Sequence, residues 1–179
     1  MTTSMPDALQ PGSLDLLAST PGTLRALLAG LDEAVVGAPG PEGWSPRDVL
    51  AHVLSVQQPG FTARVRFMVE QDEPPVPNVD EDAVLETSGL RSRPMAELLD
   101  GFSAARAATL ALLSTLDEMQ FARGGNHEIA GRITVAEIVH HHVFHDLSHV
   151  RQICALLEGP AEAARGAMRG GNPSDLAGA

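Results

Sequence analysis

Lysine and tyrosine are missing from this chain of 179 residues, and it has one cysteine and one tryptophan. A single thiol, Cys154, excludes an internal disulfide framework and fits a reducing cytosol. With no tyrosine, and with Ala and Leu dominating an apolar share of 44%, propensity favours helices over sheets. Basic residues are also scarce, 12 against 23 acidic ones, for a formal net charge of −11. That balance excludes the basic face that non-specific nucleic-acid or anionic-membrane binding requires. All the basic residues are arginine, which reads as the codon bias of a GC-rich genome and carries no mechanism. No apolar run approaches the roughly 20 residues of a membrane span. Residues Met1 to Asp7 lack the basic and apolar regions of a signal peptide. The expectation is a soluble, cytoplasmic protein. Its length suits one domain, read as residues 1–159, followed by an Ala- and Gly-rich tail, 160–179, expected to be disordered.

Four helical segments are punctuated by clear loop signals. The first is read from Pro21 to Val36, capped by Thr20, with Leu24, Leu27, Leu28, Leu31 and Val35 as its stripe and a short turn, Leu14 to Leu17, ahead of it. The second opens on Ser45-Pro46-Arg47-Asp48, with a hydroxyl at N-cap, Pro at the first helical position and a carboxylate at N3. It runs through Val49, His52, Val53 and Val56 to Val69, and Pro59-Gly60 should kink or divide it. Asp72 to Gly89 reads as an acidic loop or crossover. The third helix spans Pro94 to Leu116, and Asp117 to Arg132 is a second irregular connection. The fourth begins at the capping box Thr134 to Glu137 and runs to Leu157, where Gly159-Pro160 stops it. The fold class expected is all-α, a four-helix bundle with a long crossover connection.

Histidine is concentrated: five of the seven lie between His140 and His149. At about 100° per residue, His149 sits about 40° around the helix from His145, and His142 about 60°. His141 falls about 40° to the other side. Two imidazoles one turn apart on a core-facing stripe can reach one metal ion, or can be satisfied by ordinary hydrogen bonds. A third ligand has to come from elsewhere, and His52, on the apolar stripe of the second helix, is the natural candidate. His142 is a candidate for supporting residue, substitute ligand or proton shuttle, and His141 either supports the site or faces solvent. Asp48, one turn before His52, either orients that ring or only caps the helix. Asp146 should point away and be solvated, Cys154 should be a buried apolar substitute, and His127 should be a surface histidine. Arg151 and Gln152 are candidates for contacting an anionic substrate. No nucleophile–base pair points to hydrolysis by side chains alone.

Two segments bear a resemblance. Trp44-Ser45-Pro46-Arg47-Asp48-Val49-Leu50-Ala51-His52 resembles the W-S-x-x-[DE]-x-x-x-H opening of the second helix in the DinB-like (DinB/YfiT) superfamily. His145-Asp146-Leu147-Ser148-His149-Val150-Arg151-Gln152-Ile153 resembles the H-x-x-x-H-x-x-Q-I segment of its last helix. The resemblance covers about Leu14 to Leu157. It implies a four-helix bundle, often a homodimer, in which His52, His145 and His149 hold a divalent metal: Zn, Ni or Fe. Three protein ligands with open positions is the arrangement of a catalytic metal. The resemblance further implies a small-molecule substrate and, from some relatives, a low-molecular-weight thiol cosubstrate in an S-transfer reaction. The alternative is a non-enzymatic, stress-related metal-binding bundle in which the histidines are structural.

Overall fold

The structure is a computed structural model, and it describes residues 8–166 and 168. Its elements in chain order are α1 (Ser13–Leu28), α2 (Glu33–Val36), α3 (Pro46–Val56), a π-helical segment (Gln57–Thr62), α4 (Ala63–Glu70), β1 (Pro75–Val76), α5 (Glu81–Ser88), a 3₁₀ turn (Leu90–Ser92), α6 (Met95–Leu113), α7 (Glu118–Phe121), β2 (Gly124–His127), β3 (Gly131–Thr134) and α8 (Val135–Ala164). α1 packs against α6 and α8, and α3 packs against the same two. Around the bundle the long helices therefore run first, fourth, second, third, and both the first and third connections cross a diagonal. The small sheet pairs β1 parallel to β2 and β2 antiparallel to β3, with Asn126 opposite Arg132. It sits within the connections and leaves the bundle all-α in its core. Among the described residues no helix is long and apolar enough to cross a membrane.

Local sequence explains the helix starts. Ser45 Oγ accepts from Asp48 N at 3.2 Å while the Asp48 carboxylate accepts from Ser45 N at 2.9 Å. Thr134 and Glu137 repeat the device at the start of α8. Such reciprocal caps satisfy amide donors that a helix start otherwise leaves orphaned.

The prolines do not stop helices where propensity says they should. The first helix begins at Ser13 and runs through Pro21, because Leu17, Thr20, Leu24 and Leu28 form one continuous buried stripe. The residues to Val36 form a separate short turn, α2, after Ala29. Pro59 falls in the π-helical segment, where the Thr62 hydroxyl donates to the Gln57 carbonyl at 3.1 Å, and the rod continues into α4. α8 likewise passes Gly159 and Pro160 to end at Ala164, and the remaining tail residues lie outside those described apart from 165, 166 and 168. The acidic connection contains α5, capped by Asp80, whose Oδ1 accepts from Ala83 N at 3.0 Å. Cys154 is exposed, not buried: it lies on the side of α8 turned away from His149 and from the core.

The core has two apolar clusters. One gathers Leu17, Val56, Phe61, Leu113 and Val139; the other gathers Leu24, Val53, Phe102, Leu98 and Ile153. A buried polar layer lies at their junction, built from α6, α8 and the π-helical segment. Arg106 of α6, 1% exposed, is the hub of this layer. Its Nη1 donates to Asp146 Oδ2 at 2.5 Å and to the Leu17 carbonyl at 2.8 Å. Its Nη2 donates to Asp146 Oδ1 at 2.9 Å and to His142 Nε2 at 3.0 Å, and its Nε to Gln57 Oε1 at 3.2 Å. All five guanidinium donors are thereby used. The Leu17 carbonyl is free to accept because Pro21, four residues on, has no N–H to give it. Asp146 is thus fully buried and ion-paired, contrary to the expectation of a solvated residue. α8 lies against so many neighbours that a position about 100° from His145 is also inside.

Candidate metal centre

α3 and α8 lie side by side, and each turns a buried stripe towards the other. On α3 that stripe is Val49, His52, Val53 and Val56. On α8 it includes Ile138, His142, His145 and Ile153. His52, His145 and His149 meet there, each offering a ligand atom within 4.8 Å of the others. The Nε2 atoms of His52 and His145 stand 3.3 Å apart. The His149 ring lies 4.7 Å from that of His52 and 4.4 Å from that of His145, centroid to centroid. Gln152 fixes His149: its Oε1 accepts from Nδ1 at 2.8 Å, leaving Nε2 as the lone-pair nitrogen. The Nδ1 atoms of His52 and His145 are buried without a protein partner. Burial and the neighbouring His149 push the His52 pKa down to about 4, and burial with His149 and His52 pushes His145 down to about 3. Both rings are therefore neutral at neutral pH, the form that ligates a metal.

These residues fit a divalent ion. Donors arranged tetrahedrally at about 2.0–2.1 Å from a metal stand roughly 3.3–3.4 Å apart, the separation of the His52 and His145 nitrogens. Three imidazole nitrogens suit Zn, Ni or Fe without selecting among them. His52 and His149 border a cleft of about 520 Å³ that is also lined by Trp44, Asn78, Glu81 and Gln152. Trp44 packs its edge on the His52 ring, with centroids 5.5 Å apart, and the Arg91 guanidinium covers Trp44 at 5.1 Å.

The other residues singled out by sequence separate from the triad. His142 belongs to the Arg106 layer. Arginine only donates, so His142 Nε2 accepts from it and also from Gln57 Nε2 at 2.7 Å. Its ring stacks on Phe61 at 3.8 Å, and burial together with Arg106 pushes its pKa down to about 2. His141 is exposed. The Asp48 carboxylate serves Ser45 and Arg91, 2.8 Å from the latter. Burial opposes its charge, but those hydrogen bonds hold its pKa below the ordinary value. It therefore caps α3, and its bonds go to Ser45 and Arg91 and not to the His52 ring. Gln152 positions His149, and Arg151 is exposed on a neighbouring groove of about 620 Å³. His127 lies half-buried on β2, its Nδ1 accepting from Ile129 N and Ala130 N at 3.2 Å each.

Sequence reasoning missed two residues. Arg106 is one, although it lies on the apolar stripe Phe102, Arg106, Thr109, Leu113, where a lone charge signals a buried partner. Glu81 is the other: its Oε2 lies 3.4 Å from His52 Nε2 and 3.9 Å from His145 Nε2. Nothing in the sequence distinguishes it from the acidic residues around it.

Comparisons with known proteins agree with this architecture. The family model of the DinB superfamily matches residues 16–153. Among solved structures, YfiT from Bacillus subtilis is similar over 90% of this chain and 90% of its own, with a TM-score of 0.76 and 21% identity. That protein is described as "a probable metal-dependent hydrolase with an unusual four-helix bundle topology". The likeness establishes the shared fold. No curated protein matches.

Proposed function

The chain belongs to the DinB superfamily, and we propose that it is a metal-dependent enzyme whose ion is held by His52, His145 and His149. The observation that carries this reading is the convergence of three imidazoles within 4.8 Å, two of which, His52 and His149, line a cleft large enough for a small molecule. The nucleophile proposed is a low-molecular-weight thiol, and the reaction is transfer of its sulfur to an electrophile. A bound divalent ion supplies the positive charge that keeps such a thiol deprotonated at neutral pH. The chain's own residues do the positioning. Gln152 holds the His149 ring by its Nδ1, Trp44 presses on His52, and Phe61 lies edge-on against His145 with centroids 5.4 Å apart. A second copy of the chain is the proposed partner, docking on the face of α8 where Phe144 and Leu147 are 67% and 51% exposed.

Water in place of the thiol would make the same centre a hydrolase, and the carboxylate of Glu81 beside the rings would suit either nucleophile. A rate assay separates these readings. Metal-loaded protein, a thiol such as glutathione and an activated aryl halide should give a rate enhancement that His149→Ala and metal removal both abolish. Thiol-independent turnover of an ester or amide would replace transfer with hydrolysis. Stoichiometric metal with no rate on either substrate set would leave a structural bundle.

A further inference from the structure

Three histidine nitrogens leave a tetrahedral ion one donor short, and α5 brings up a fourth. Glu81 is the first residue of that helix, directly after the N-cap Asp80. Asp80 caps the helix, Asp82 shares its acidic first turn and the buried Leu85 packs it, so α5 does not rest on Glu81 alone. The carboxylate is 39% exposed, yet its Oε2 reaches between two buried rings, 3.4 Å from His52 Nε2 and 3.9 Å from His145 Nε2. A normal N–H···O hydrogen bond spans about 2.7–3.2 Å, so both contacts are long for one. Donors sharing a tetrahedral ion at about 2.0–2.1 Å stand roughly 3.3–3.4 Å apart. The His52–Glu81 distance of 3.4 Å and the His52–His145 distance of 3.3 Å both have that length. Two of the three pair distances among this carboxylate oxygen and the two imidazole nitrogens thus have the donor spacing. The third, Glu81 to His145 at 3.9 Å, needs a small movement of the partly exposed Glu81 side chain to reach it.

We infer that Glu81 is the fourth donor of the centre in its resting state; this rests on the metal reading above. The consequence is a site closed by one movable side chain. An incoming thiol takes the carboxylate's place and gives its proton to the Glu81 oxygen. With an ion held there, the S–H bond would break, an O–H bond would form on Glu81 and the sulfur would keep the electron pair. On an aryl halide that pair would form the C–S bond as the C–halogen bond breaks and halide leaves. Swinging out one partly exposed side chain is enough, while Leu85, 1% exposed, keeps α5 in place.

Cobalt(II) binding tests this without any substrate. Untagged wild-type protein, Glu81→Gln, Glu81→Ala and His149→Ala are titrated with Co²⁺ against a competing chelator, and the visible d–d bands are recorded. Wild type is expected to bind one Co²⁺ per chain. Both Glu81 variants should keep that stoichiometry with at least about tenfold weaker affinity and shifted bands, since even residues that only support ligands change affinity by about 10–100-fold. His149→Ala should lose tight binding. Wild-type affinity within twofold and a superimposable spectrum in both Glu81 variants would overturn the inference and leave the histidine site standing. No uptake by wild type would overturn the metal reading and the inference with it.

Discussion

α8 carries His142 and Asp146 next to His145 and His149, and the two pairs meet burial by opposite means. His142 and Asp146 join Arg106, Gln57 and the Leu17 carbonyl in a layer where each of the five arginine donors has an acceptor. His145 and His149 join His52 in a cluster whose nitrogens converge, with two Nδ1 atoms buried and unpartnered. The nitrogens that a ligand from outside the chain can meet are the converging Nε2 atoms, which stand 3.3 Å apart on His52 and His145. Histidine stands in both clusters. What separates scaffold from site is whether the polar atoms satisfy one another.

The largest expected effect comes from breaking the closed cluster. Arg106→Met leaves Asp146 charged and buried, and should lower unfolding free energy in urea by about 3–5 kcal/mol. The comparison fails if that variant loses less than about 1 kcal/mol.

Acid comes next, and it strikes both clusters of the metal-free protein. His52, His145 and His142, held down to about 4, 3 and 2 in the folded chain, take up protons near pH 6.5 once unfolded. The unfolded state then binds more protons, so this part of the stability is complete above pH 6.5 and is lost as pH falls below it. Each histidine should contribute about 1 kcal/mol of loss between pH 7 and 5.5, or about 3 kcal/mol together. Denaturant midpoints that do not change over that range would contradict the neutral, buried rings. Bound metal should raise the midpoints without reducing this pH slope, because His52 and His145 are already unprotonated in the metal-free folded chain over that range.

A smaller loss is expected from Gln57→Leu, which takes a neutral partner from Arg106 Nε and from His142 Nε2. About 1–3 kcal/mol should disappear while metal stoichiometry stays at the wild-type value. Least affected in stability should be His149→Ala. That ring is only partly buried, and its loss should shift metal-free stability by less than about 1 kcal/mol while removing tight metal binding. A large change in the metal-free melting temperature of this variant would place His149 among the scaffold residues.

Much of the centre was legible in the sequence because helices convert spacing into direction. His145 and His149 share a face at four residues' separation, and His52 lies on the stripe of Val49, Val53 and Val56, so all three were bound to face inward. The capping boxes at Ser45 and Thr134 fixed where those helices start. Tertiary packing decided what remained. Asp146 is inside because α8 is covered on several sides, and Arg106, 40 residues away, is its partner. Pro21 and Pro59 keep their helices because buried stripes and a π turn outweigh one lost hydrogen bond each. Glu81 reaches the rings only because α5 folds back over α3, which nothing in its acidic surroundings announces.

Metal stoichiometry tests the central claim most directly. Untagged protein should carry about one Zn, Ni or Fe per chain, by elemental analysis after purification or after reconstitution with each ion. His52→Ala and His149→Ala should carry none, while Gln57→Leu keeps the full amount. Wild-type protein that takes up no ion, or His variants that retain it, would contradict the account and place all three histidines with the scaffold.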